Sequence, residues 1–184
     1  DLDDDRFKVP GTRRAVAKLD PSRSQADKFL SSRHLWAKAD RTVILWGDVF
    51  FTRAAIRAIF EFDGAWAMFA RLTRSSITGK NHKEPFAWSI APDAHPVLDA
   101  GIDECVREAR AGRLLNWSGS WHVYKATIGK LWVKWGDLDP DDLAHVVPIN
   151  DATDDFDYES DWDEWCARYY RYTDEQRTRY GMTR

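Results

Sequence analysis

The order of apolar and polar positions along the chain lays out alternating strands and helices. "TVILWGD" is a continuous apolar run rich in β-branched side chains, which predicts a central strand buried on both faces and ending in Gly47 and Asp48. Thr52 stands where it can cap the next helix, in which Ala55, Ile56, Ile59 and Phe60 share a stripe. "AWAMFARL" (65–72) and "EPFAWSI" (84–90) read as two further strands, with the polar loop "TRSSITGKNHK" between them. Asp93 precedes a helix with Leu98, Ile102, Cys105, Val106 and Ala109 on one side and Gly112 as its stop signal. Upstream, "RRAVAKL" (13–19) reads as a short strand, and Phe29, Leu30, Leu35 and Trp36 predict a helix over about residues 24–38. Downstream, residues 114–137 are aromatic without a clear period, and "AHVVPIN" (144–150) reads as the last strand. "DATDDFDYES" is an acidic loop. Ser160 is then expected to cap a terminal helix whose Trp162, Trp165, Cys166 and Tyr169 fall at i, i+3, i+4 and i+7.

Strands that alternate with helices imply an α/β class with a mostly parallel central sheet flanked by helices. The expected organisation is a mobile acidic lead-in over 1–12, a single domain over 13–172 and a polar, arginine-containing tail over 173–184. Ligands of such sheets sit beyond the carboxyl ends of strands. Both Asp48 and the acidic loop at 151–157 fall there.

Composition narrows the classes. With 184 residues, 43% hydrophobic and ten tryptophans, the chain can bury one sizeable core, which speaks against disorder across most of its length. A net charge of -3 gives no general attraction to nucleic acid or to a membrane. Nucleic acid stays open as a partner through local patches, such as the arginine-rich "RYYRYTDEQRTRYGMTR". Cys105 and Cys166 lie on apolar helix faces and read as buried free thiols, which points to a reducing, cytoplasmic setting. No apolar run approaches the ~20 residues of a membrane span, and no signal peptide is visible.

Candidate chemistry gathers on carboxylates. Asp48 follows a strand, and Gly47 beside it lets backbone or ligand approach closely. The late loop supplies Asp151, Asp154, Asp155, Asp157 and Asp161. Mg²⁺ takes oxygen ligands, often one or two carboxylates with substrate phosphates. Two carboxylates meeting at one edge of the sheet need a cation or a proton between them, which suits phosphoryl or nucleotidyl transfer. Lys80, Lys83 and Lys125 are candidate phosphate-neutralising groups, and Glu84 is a candidate ligand of a sugar hydroxyl. An EF-hand, HExxH, CxxC, GxSxG and the phosphate-binding GxxxxGK[ST] loop are all absent.

"TVILWGDVFF", the helix after it, "EPFAWSI" and "INDATDDFDYESDWDEW" together resemble the later part of MobA-like and sugar-phosphate nucleotidyltransferases, which share the GT-A type nucleotide-binding fold with many glycosyltransferases. The resemblance covers roughly residues 40–170. It implies a Mg²⁺ (or Mn²⁺) ion held by Asp48 of the Gly47-Asp48 pair and by Asp157 in "DFDYESD", with Asp155 as the alternative and Asp161 matching a later aspartate at the helix start. The implied activity is transfer of a nucleotide from an NTP to a sugar phosphate or related phosphate. A glycosyltransferase using a nucleotide sugar and a sugar acceptor is the first alternative, and a non-catalytic binding or assembly protein derived from this fold is the second. The "GxGxR" loop that opens the family's fold is not found. The expectation is therefore a chain that begins about one-third of the way into that fold: a fragment, a mate for a partner chain that supplies the rest, or a diverged protein that has lost the loop.

Overall fold

The computed structural model describes residues 26–114 and 119–179, without the side chains of 174–179. The lead-in, the strand expected at 13–19 and the last residues of the tail lie outside the described residues. In chain order the strands are β1 (Thr42–Leu45), β2 (Val49–Phe50), β3 (Trp66–Arg71), β4 (Glu84–Ile90), β5 (Val146–Pro148) and β6 (Asp154–Asp155). The α-helices are α1 (Ala26–Ser32), α2 (Arg53–Phe60), α3 (His95–Arg110), α4 (Ser120–Thr127) and α5 (Glu159–Arg179). Among the described residues no helix is long and apolar enough to cross a membrane.

Two compact units make up the protein: the described parts of Asp1–Trp36 with Pro96–Val133, and of Ala37–His95 with Lys134–Arg184. The first is helical, built of α1, α4 and all but the first residue of α3. Arg33, just past α1, holds Asp99 at 2.7 Å and Asp103 at 2.8 Å on α3. Gly101 is required where α3 meets α4, since a Cβ there would come within 2.8 Å of the Thr127 backbone nitrogen. Cys105 is fully buried in this unit, and burial pushes its thiol up to about 12, so it is an inert apolar filler. Both cysteines are free thiols, and Cys166 is only half-buried.

The second unit carries a four-stranded sheet of order β1-β4-β3-β5. The sheet is mixed, which corrects the expectation of a mostly parallel one. β4 pairs antiparallel with both β1 and β3, and β5 pairs parallel with β3. The reason lies in the connections. Helix α2 does carry the chain from β1 to a strand of the same direction, β3. No helix separates β3 from β4, so β4 returns antiparallel and slots between them. β1 accordingly is the end strand of the described sheet, with only Thr42 buried, not a central strand covered on both faces. β3 is the fully buried one, every residue from Trp66 to Arg71 being inaccessible.

Since β1, β3 and β5 run the same way, the segments leaving β1 and β5 emerge at the same end of the sheet. They meet there as a short antiparallel ribbon, β2 against β6, with Val49 opposite Asp155 and Phe50 opposite Asp154. Apolar packing fixes the two sides. Ala55 and Ile59 of α2 pack with Ala67, Phe69, Phe86 and Ala87 of the sheet. Trp165 of α5 packs with Ile77 and Ala152, and Phe50 and Phe156 of the ribbon region join that cluster. Thr52 caps α2 as expected, accepting from the Ala55 amide at 3.0 Å. The start of α5 differs from expectation: Asp161, not Ser160, makes the cap, accepting from the Tyr158 amide at 3.2 Å. An acidic side chain at the third helical position reaches back more readily than a serine inside the first turn.

Candidate functional site

Asp48 and Asp157, remote in sequence, line one open cleft of about 460 Å³ at the mouth of the β2–β6 ribbon. The ribbon brings them there: the Phe156 amide donates to the Asp48 carbonyl at 2.9 Å, extending the ladder by one bond beyond the two strands. Glu159 adds a third carboxylate, and Phe50, Phe156, Tyr158 and Trp162 supply aromatic surface, with Gly47 and Val49 completing the lining. A Cβ built on Gly47 meets nothing within 4 Å, so the protein itself does not require glycine here, and the space belongs to the cleft. Among the described residues no lysine or arginine lines it.

The aspartates of the late segment divide among separate tasks. Asp151 accepts from the Thr52 hydroxyl and from the Thr153 amide, fastening the loop to the start of α2. Asp154 is buried and ion-paired with buried Arg71 at 2.5 Å; its other oxygen accepts from the Ser75 and Thr78 hydroxyls at 2.7 and 3.3 Å. Asp161 is taken by Lys80 at 2.8 Å, which lowers the carboxyl and raises the amine. Asp157 lines the cleft.

Asp155, the alternative metal ligand, is half-buried on β6. Its carboxyl is pushed up to about 7, first by burial and then by the negative charges of Glu84, Asp154 and Asp157. Glu84, at the start of β4, stands across the ladder from Arg71. Burial raises its carboxyl as well, and Arg71 partly opposes that. The sign of the stability effect follows. Between about 4 and about 7 the folded protein holds a proton on Asp155 that the unfolded chain has released, so this group makes the fold less stable as pH rises through that window. Asp155→Asn is expected to raise the urea midpoint at pH 8 and to lose that advantage progressively as the pH is lowered toward 4.

The cations expected to meet phosphate have other partners. Besides Lys80 on Asp161, the Lys83 ammonium sits 4.3 Å from the centre of the Trp135 ring, and its burial lowers its pKa. Lys125 belongs to the helical unit, where its amine donates to the Val133 carbonyl at 3.0 Å and burial lowers its pKa. A larger groove of about 640 Å³ along α5 does hold cations, Arg168 and Arg171. Arg168 is already bound to Glu164 at 2.5 Å and to the Thr78 carbonyl at 3.0 Å.

The sequence reading missed the Arg71–Asp154 pair and the Ser75 and Thr78 hydroxyls that close it. One signal was present: an arginine ending a strand that is otherwise wholly apolar has to find a buried counter-charge.

Among the described residues no three histidine, cysteine, aspartate or glutamate side chains converge into a metal cage. Two exposed carboxylates in an open cleft fit a different kind of cation, one that keeps most of its water and binds together with substrate phosphates. No family model matches the chain, and neither a curated protein nor a solved structure resembles it significantly.

Proposed function

We propose that the protein is a Mg²⁺-dependent nucleotidyltransferase that joins an NTP to a phosphate-bearing acceptor, with the Asp48–Asp157 cleft as its site. The observation that carries this reading is the shared cleft itself, which Asp48 and Asp157 line from two distant segments with no lysine or arginine among the described residues beside them. A divalent ion held there would supply positive charge against the phosphates of the reacting nucleotide. Asp48 and Asp157 would hold it from the two sides of the ribbon. The Gly47 position leaves room for a phosphate to approach the backbone. A phosphate nucleophile is ionised at neutral pH, so these residues need not include a general base.

The test is calorimetric titration of the four NTPs with and without Mg²⁺, and with Mn²⁺ in its place. Loss of an orienting group behind a metal ligand costs ten- to a hundredfold in affinity, so Asp48→Asn and Asp157→Asn are each expected to weaken Mg²⁺-dependent nucleotide binding by at least about tenfold. Equal affinity in both variants, or no Mg²⁺ dependence in the wild type, overturns the reading. Pyrophosphate as the product distinguishes this reaction from glycosyl transfer, which releases a nucleoside diphosphate from a nucleotide sugar.

A further inference from the structure

The cleft is more aromatic than a metal and phosphates require. Tyr158 is 73% exposed and Trp162 43% exposed. Trp162 is held in place: it stacks on Trp165 at 5.7 Å with planes 14° apart, and Phe156 meets it edge-on at 5.2 Å. Glu159 contributes a third negative charge at this end. No lysine or arginine among the described residues lines the cleft beside it, and Lys80 is bound to Asp161, so only the first turn of α5 offsets that charge.

Different ligands would use this surface differently. An anion is repelled by Glu159. A small hydrated cation gains nothing from the rings. A neutral sugar can stack on an indole yet leaves the carboxylate charge unanswered. An ammonium carrying alkyl groups uses both features, since its charge is attracted to the face of tryptophan and to the carboxylate, and its carbon surface is removed from water.

We propose that the Trp162 end of the cleft binds an alkylammonium group, formed by Trp162, Tyr158 and Glu159. The assignment of that group to the distal end of the phosphate-bearing acceptor rests on the nucleotidyltransferase reading of the Asp48 end.

The probe is tetramethylammonium chloride, titrated without metal or nucleotide against sodium chloride at equal ionic strength. The readout is the backbone amide shifts of Phe156, Asp157 and Tyr158. A saturable shift specific to tetramethylammonium is expected. It should weaken about tenfold in Trp162→Ala and about threefold in Glu159→Gln, the latter an exposed position that can be changed without touching the core. A response no larger than that to sodium, or undiminished in both variants, overturns the proposal. The two readings fail separately. Loss of Mg²⁺-dependent nucleotide binding with an intact tetramethylammonium response removes the metal assignment and the acceptor assignment that depends on it. Nucleotide binding without the ammonium response removes this proposal alone.

Discussion

Arg71→Met is expected to lower the stability of the sheet unit by about 3–5 kcal/mol, the usual cost of stripping a buried ion of its partner. The pair is inaccessible on both sides, each side chain being 2% exposed, so water cannot take over. After the substitution Asp154 would keep the Ser75 and Thr78 hydroxyls and the Asp155 amide as donors, but its ion-pair partner would be gone and Lys80, bound to Asp161, would act on it only through space. The half-buried carboxylates of Glu84 and Asp155 nearby add to the imbalance. Urea unfolding followed by tryptophan fluorescence at pH 8 measures the loss. The companion experiment is the double change Arg71→Met with Asp154→Leu. Replacing both ions of a buried pair with apolar groups is frequently neutral or stabilising, so the double variant should recover most of the stability. Two of the Arg71 nitrogens, Nε and Nη2, already lack hydrogen-bond partners among the described residues, which makes the pair costly to keep. A single variant within about 1 kcal/mol of wild type would mean that Arg71 is not the charge holding β6 to β3.

Trp165→Ala should be as severe, about 3–5 kcal/mol by the usual scale for deleting a buried tryptophan. Trp165 is 2% exposed, and four aromatic rings meet it: Tyr169 stacked at 4.4 Å, Phe50 at 4.6 Å, and Phe156 and Trp162 each at 5.7 Å. Its removal takes the support from both sides of the ribbon at once. The same change is therefore expected to reduce Mg²⁺-dependent nucleotide binding, although Trp165 does not line the cleft. Trp165→Phe separates packing from polarity. The indole N–H has no acceptor among the described residues, so the phenyl ring gives up volume but no hydrogen bond, and the loss should fall to about 1–2 kcal/mol. Thermal unfolding of the three proteins at one pH gives the comparison. Equal losses for the two substitutions would place the cost in something other than ring packing.

What the residues disclose on their own depends on how local the cause is. β4 falls at 84–90 as its apolar run indicates, and the Thr52 cap is legible because the hydroxyl and the amide it accepts from are three residues apart. The direction of β4 is not legible, because parallel and antiparallel neighbours bury the same side chains. β2 and β6 are two residues each, too short to leave a period. The acidic segment shows the limit most clearly. Asp151, Asp154, Asp157 and Asp161 look equivalent in the chain, and their roles are assigned by Thr52, Arg71, the open cleft and Lys80, all outside the segment. Lysine positions are the least legible. The long stem lets the amine of Lys83 settle on Trp135, a contact that no spacing announces.

The ribbon that carries both cleft carboxylates is latched by very few backbone bonds, and the last of them runs from the Phe156 amide to the Asp48 carbonyl. A ladder this short has few bonds of its own, and since the buried Arg71–Asp154 pair ties β6 to β3, the bond most free to part is the outermost one, at Phe156. Opening of that bond would part the two segments that carry Asp48 and Asp157, and a guest held by both would keep it closed. Deuterium uptake at a single nitrogen, that of Phe156, would keep the time of each opening.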